Sequence, residues 1–354
     1  MDSGPPPSEL TLQLTQVGLT ASSLSSALTP VLQTITRHTG ATAAAYYQRR
    51  DAVAAADDRP YPPAALTRDP SYPVRVCQGP APLPTLPPEV RRRLSHEADL
   101  LNLPPTPQHP ALLAAPIRER SGELLGALLL TRSAGHWSSS ECNLLRTLSG
   151  LVTLVAARLN AEERERDAQE HALRALGLAL EARDSAMRGH TDRVTQLATL
   201  VGQAMHLAPE ALDALRWGAY LHDIGKLTLP DDVLHHPGPL TPVMRERMRQ
   251  HVDEGLNLAR QLPFLPPEAL DVIAAHHERW DGTGYPRGRS GTAIPLPARI
   301  FAACDVFDAL TSPRAYKPAW TPGDALQFVQ QGSGTHFDPQ VVQALTQVLG
   351  HHAA

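Results

Sequence analysis

Residues 276–286 read HHERWDGTGYP, two adjacent imidazoles and a carboxylate that run straight into a glycine-punctuated aromatic turn. Successive helix residues point about 100° apart, so His276 and His277 can serve one site only where a helix ends. WDGTGYP supplies that end, because two glycines and a proline break the helix at once. The order suits a pair of metal ligands beside a loop. A second polar pair, His222 and Asp223 in LHDIGK, closes a segment with apolar positions at Leu212, Leu215, Ala219 and Leu221. Alone, such a pair reads as a helix-terminal histidine beside a solvated aspartate. Here it is followed by an acidic turn and a long helical stretch carrying His251 in QHVDEG.

These residues lie in a half of the chain without a strand pattern. Helical signals recur over residues 191–205, 209–222, 241–262, 266–277, 297–310, 322–331 and 339–349, often opened by Pro, Ser or Thr. The expectation is an all-α domain whose separate helices end on one cavity and point ligands into it. The first half mixes signals. An amphipathic stretch over residues 24–38 precedes β-prone runs at 42–48 and 72–77, and the runs 112–117 and 123–131 are split by the turn Ser121, Gly122. A small antiparallel sheet follows from that pattern. SSSE at residues 138–141 is a capping-box sequence opening an apolar helix through Leu144, Leu148, Val152 and Val155. Residues 161–184 are first strongly charged and then apolar at helical spacing. They read as a solvated connector into the first core helix of the next domain, or as a parallel helical stalk between two protomers, and the two are compatible.

A length of 354 residues suggests two domains, since one core rarely grows beyond about 250 to 300 residues. The 36 acidic and 32 basic residues are interspersed, which leaves no electrostatic footprint for duplex nucleic acid or an anionic membrane. A small ligand or a protein partner fits better. Cys77, Cys142 and Cys304 form no CxxC pair, so neither a disulfide framework nor a zinc knuckle is indicated and a cytoplasmic location is expected. The start MDSGPPPSEL has no basic stretch followed by an apolar one, and no apolar run approaches the roughly 20 residues of a membrane span.

GHTDRV, LHDIGK, QHVDEG and HHERWDGTGYP occur in this order along the C-terminal half. That half resembles the HD-GYP family of cyclic-dinucleotide phosphodiesterases, with Gly284, Tyr285 and Pro286 as the eponymous triplet. The N-terminal half, with GELLGALLL followed by WSSSE, resembles a GAF sensory domain. The fold implied is an α+β GAF-like domain joined by a long helix to an all-α HD-type helical domain. Its parts would be a disordered N-terminus over residues 1–19, the GAF-like domain over 20–158, a helical linker over 159–184 and the phosphodiesterase domain over 185–354.

Carried over residue by residue, the family's metal ligands fall on His190, His222, Asp223, His251, His276, His277 and Asp305, with Asp223 bridging two ions. A binuclear hydrolase holds its ions about 3.5 to 4 Å apart. Imidazole and carboxylate ligands without a thiolate suit Fe, Mn, Co, Ni or Zn, and the family favours iron or manganese. Members with a third ion resemble one another in a glutamate four residues before the first histidine. Ala186 stands there in SAMRGH, so two divalent ions are expected. The implied reaction is hydrolysis of cyclic di-GMP to pGpG, in some members onward to GMP, by water activated between the ions and oriented by Asp223. Lys226 is the expected contact to a phosphate oxygen. Arg314 and Lys317, which flank a tyrosine in TSPRAYKPAW, are further candidates, and Ala315 replaces the usual proline. Tyr285 and Trp280 are candidates for stacking on a base. The residues alone carry as far as a phosphate ester hydrolase. Alternatives are a hydrolase for another cyclic dinucleotide or nucleotide, and a catalytically silent cyclic di-GMP receptor or scaffold that binds a diguanylate cyclase domain through the GYP loop. A homodimer is expected, as is an unknown GAF ligand that biases activity through the linking helix.

Overall fold

The computed structural model describes residues 21, 23–49, 74–79, 88–96, 99–107, 109–119, 121–183, 189–313 and 318–352. The chain divides into two units, Met1–Glu165 and Arg166–Ala354.

The first unit opens on α1 (Leu24–Thr39), started by Ser23, whose hydroxyl accepts from Ser26 N, and stopped by Gly40 in the left-handed conformation. Strands β1 (Ala43–Gln48), β2 (Val74–Gln78), β3 (Leu101–Leu103), β4 (Ala111–Arg118) and β5 (Leu124–Arg132) form one antiparallel sheet in the order β2-β1-β5-β4-β3. Alternate residues of a strand face opposite layers. Ala44, Tyr46, Leu113 and Ile117 pack with Leu32 and Ile35 of α1 and with Leu148 of α3 (Ser139–Arg183). Ala45, Tyr47, Leu112 and Ala114 pack with Val90 and Leu94 of α2 (Pro88–His96). Covering both faces explains why β5 reads as an unbroken apolar run rather than an alternation. Neither α2 nor β3 was expected from sequence. Only Val90 and Leu94 of α2 are buried, and β3 has three residues, so neither is long enough to show a period.

The reciprocal cap at the start of α3 is present: Ser138 N donates to Glu141 Oε2 at 2.7 Å and Glu141 N to Ser138 Oγ at 3.3 Å. The helix then runs for 45 residues. By length and composition alone, an 18-residue stretch of it would be long and apolar enough to cross a membrane. Leu145, Leu148, Val152 and Ala156 nevertheless put one face of it into the core of the first unit.

In the second unit the end of α3 is joined by α4 (His190–Ala204), α5 (Pro209–Leu221), α6 (Asp231–Leu234), α7 (Pro242–Arg249), α8 (His251–Ala259), α9 (Pro267–Ala275), α10 (Leu296–Thr311), α11 (Pro322–Gln331) and α12 (Pro339–His352). Proline in the first turn of α5, α7, α9 and α11 fits a position whose N–H needs no partner. Leu215 of α5 and Val272 of α9 pack with Val194, Phe301 and Leu345 on one side. Trp217, Leu221 and Ile273 of the same two helices pack with Leu173 of α3 and Leu265 on the other. The later part of the charged-then-apolar stretch is thus a core helix of this unit. The single helix expected over residues 241–262 is two, α7 and α8, broken at Gln250. α7 buries none of its side chains whereas α8 buries His251, Val252, Gly255 and Ala259, so one straight helix could not serve both.

Candidate metal centre

Six of the seven candidate ligands sit at or next to a helix end, where a side chain is free of the helix's own packing. His190 opens α4, and His222 with Asp223 follows α5 directly. A 3-10 turn, Ile224–Thr228, then carries Lys226. Gly225 lets this turn lie against α8, since a Cβ there would come within 1.8 Å of His251 O. His251 opens α8 after the break at Gln250, and His276 and His277 come immediately after α9 stops at Ala275. Asp305 comes from within α10.

These seven residues meet in two sets. Asp223, His251, His276 and His277 can place their ligand atoms within 4.8 Å of one another, and so can His190, His222 and Asp305. Asp223 touches both: Oδ2 is 3.1 Å from His222 Nε2, and Oδ1 is 3.3 Å from His251 Nε2 and 3.9 Å from His276 Nε2. His190 Nε2 lies 3.3 Å from Asp305 Oδ1, is buried, and makes no hydrogen bond.

The other ring nitrogen of each buried imidazole faces outward to an acceptor. Nδ1 of His222 is 2.8 Å from Ala219 O, that of His251 2.6 Å from Met248 O, and that of His276 3.0 Å from Ile273 O. Nδ1 of His190 is 2.8 Å from Asp308 Oδ2. An acceptor at Nδ1 keeps the proton there and turns the Nε2 lone pair inward. His251 and His276 consequently aim Nε2 at each other 3.4 Å apart. Two facing lone pairs beside a carboxylate, with an orphaned Nε2 nearby, form a donor set that fits divalent cations.

The electrostatics favour the ligand forms of Asp223, His251, His276 and His277 at neutral pH, and His222 is the exception. Burial, reinforced by neighbouring imidazoles, holds His276 well below the ordinary histidine range and brings His277 down to about 4. Burial also lowers His251. For His222 burial is outweighed by Asp223, which raises it. Burial works against ionising Asp223 as well, but Lys226 and His222 prevail and hold its carboxyl well below the usual carboxylate range.

Lys226, expected on a phosphate, lies with Nζ 2.6 Å from Asp223 Oδ2. Tyr285 stacks on His277 at 4.7 Å between ring centroids, with the Arg249 guanidinium 5.0 Å from its own centroid. Trp280 lies 5.8 Å from the guanidinium of Arg299. Arg314 and Lys317 fall outside the described residues, as do Ala315 and Ala186. Cys304 is buried in the core, and His235 is exposed on the short helix α6's end.

Sequence reasoning passed over several supports. Asp308 holds His190 and accepts from Arg193 Nε at 2.7 Å. It stands one helical turn from Asp305, and that spacing on one face was the available signal. Buried Glu278, next to His277, accepts from Arg287 N at 2.8 Å and Arg289 N at 3.1 Å, while Tyr285 N donates to His277 O at 3.2 Å. The glycine-rich turn is therefore folded back onto the histidine pair by backbone bonds.

A helical unit with histidine and aspartate at its helix ends, following a five-stranded sheet unit in the sequence, defines a two-domain class. Residues 175–341 match the HD domain family and residues 23–155 match the GAF domain family. It is 42% identical over 208 residues to the cyclic di-GMP phosphodiesterase response regulator RpfG of Xanthomonas campestris, covering 58% of this chain and 54% of that protein. It is 37% identical over 171 residues to 3'3'-cGAMP-specific phosphodiesterase 2 of Vibrio cholerae, covering 48% of this chain and 33% of that protein. The chain thus spans about half the length or less of these relatives. Among solved structures, a cyclic GMP-AMP specific phosphodiesterase of V. cholerae aligns with a TM-score of 0.43 at 23% identity, over 51% of this chain and 48% of that one.

Proposed function

We propose that this chain hydrolyses a phosphodiester bond of a cyclic dinucleotide, cyclic di-GMP first, opening it to pGpG in a centre of two divalent ions. The convergence of seven ligands in two adjoining sets around Asp223 carries this conclusion. His190, His222 and Asp305 would hold one ion, His251, His276 and His277 the other, and Asp223 would bridge them. When bound, two such ions neutralise phosphate charge and lower the pKa of the attacking water. Asp223, kept ionised beside Lys226, orients that water for in-line attack. Lys226 holds the carboxylate in place and turns to a nonbridging phosphate oxygen when substrate enters. Tyr285 supports His277 and, with Arg314 and Lys317, borders the substrate. Iron or manganese suits the donor set, and Ala186 in place of a glutamate fits two ions rather than three.

Residues 20–158 act as the sensory part and residues 185–354 as the hydrolase, with 159–184 linking them in a cytoplasmic homodimer. A ligand of the GAF domain biases turnover through α3, and the GYP loop offers a surface for a diguanylate cyclase domain.

The similarity to a relative named as specific for 3'3'-cGAMP favours that dinucleotide as the second substrate reading. Metal-loaded protein offered each cyclic dinucleotide, with products identified and a chelator control, separates the two. Chelator-sensitive conversion of cyclic di-GMP to pGpG is expected. Cleavage of 3'3'-cGAMP alone would shift the substrate, and binding without cleavage of either would leave a receptor or scaffold.

A further inference from the structure

Two residues on the last turn of α3 make contacts that neither core packing nor metal ligation explains. α4 begins after Gly189, at φ 72°, which has no side chain with which to cap the helix. The cap comes from Glu181, whose carboxylate accepts from Gly189 N at 2.8 Å and from Thr191 N. Those two N–H groups flank His190, and a carboxylate there also meets the positive end of the helix dipole. Glu181 is only 8% exposed, and each of its oxygens accepts a backbone N–H.

Arg183 is two residues further on, about 200° around the helix, and reaches the other way. Its guanidinium donates to Lys226 O at 3.2 Å, to Leu227 O at 2.9 Å and to Leu229 O at 2.9 Å, and pairs with Asp231 at 2.8 Å. The first two carbonyls belong to the turn that starts directly after Asp223 and carries Lys226 onto Asp223 Oδ2, and the third follows its end.

We propose that Glu181 and Arg183 are positioning residues of the metal centre. Glu181 sets His190 through the backbone on either side of it, and Arg183 sets Asp223 and Lys226 through the turn that follows them. The last turn of the long helix is thereby a joint from which both ion positions hang. A displacement of that turn alters His190 and Asp223 together, which gives a signal arriving along α3 a direct grip on the site. The inference rests on the two-ion reading above and is independent of which dinucleotide is cut.

Titration of the full chain with Mn2+, followed by electron paramagnetic resonance, reads this without substrate. The parent should bind two ions and give the exchange-coupled spectrum of a pair sharing a carboxylate. Glu181→Gln keeps the size and one acceptor oxygen. It is expected to weaken the ion at His190, His222 and Asp305 by about tenfold, so that the spectrum at limiting Mn2+ becomes that of an isolated ion at the four-residue set. Arg183→Gln should weaken both ions, because Asp223 is common to them, and Arg183→Lys should recover part of the loss. Melting of the metal-free variants near the parent temperature, together with these affinity changes, supports positioning. Parent affinity for both ions in Glu181→Gln and Arg183→Gln would overturn the proposal, as would losses that merely track unfolding. A parent chain that binds only an isolated ion would remove the two-ion reading beneath it.

Discussion

The two units differ most in what they bury. Among the described residues the sheet unit buries two polar side chains, Thr39 and Thr131, whereas the helical unit buries Glu181, His190, His222, Asp223, His251, His276, Glu278, Asp308 and Asp338 among others. A buried polar group without a partner costs a few kcal/mol, so a domain does not accumulate such groups for packing alone. The first unit is built as a two-sided apolar sandwich of sheet and helices. The second buries His190, His222, Asp223, His251 and His276 together in the two adjoining sets, and that concentration marks the candidate site.

The sharpest break of this contrast is Asp223→Ala. The shared carboxylate is lost, and activity and metal retention should fall by more than the roughly 100-fold that marks the upper range for outer supports. Metal analysis and turnover of the purified variant check it, and unchanged turnover would remove Asp223 from the mechanism. Asp308→Asn comes next. It weakens the outward anchor of His190 and should cost about 10- to 100-fold in affinity at that ion, read by metal titration, with the four-residue set unaffected.

In the sheet unit the expected effect is of another kind. Leu113→Ala, at a fully buried position of β4, should destabilise that unit by about 2 to 5 kcal/mol, seen as an earlier melting transition, while Mn2+ affinity stays at the parent value. A fall in metal affinity would show that polar burial does not mark off the functional part.

The smallest effect is in pH. His277 sits at about 4 in the folded metal-free protein against an ordinary 6.5, so between those values the unfolded chain binds more protons than the folded one. Its contribution to stability is present above pH 6.5 and is lost as pH falls through about 4. His251 and His276 shift in the same direction and His222 in the opposite one. Melting of the metal-free protein should decline across that window, and less steeply in His277→Asn.

The same contrast governs what was legible in the sequence. Side-chain pairs fixed by local chain direction could be read: HHERWDGTGYP places two imidazoles at a helix end, and SSSE caps α3 as its spacing demands. Strands β4 and β5 were visible because both faces are buried, which makes a continuous apolar run. The side-chain supports were harder to read, because they act across long stretches of chain. Asp308 reaches His190, and Arg183 reaches carbonyls of a turn more than forty residues away. Carbonyl acceptors such as Ala219 O and Met248 O lie only three residues before their histidines, but every residue type supplies a carbonyl, so no side chain marks them. The break at Gln250 was hidden because α7 and α8 are each too short to show that their buried faces differ.

The count of tightly held metal ions per chain, measured on fully loaded purified protein and repeated on Asp223→Ala, tests the central claim most directly. Two ions in the parent and a loss of both on removing the shared carboxylate are predicted. A single ion, three ions, or two ions that survive Asp223→Ala would contradict a binuclear centre built around Asp223.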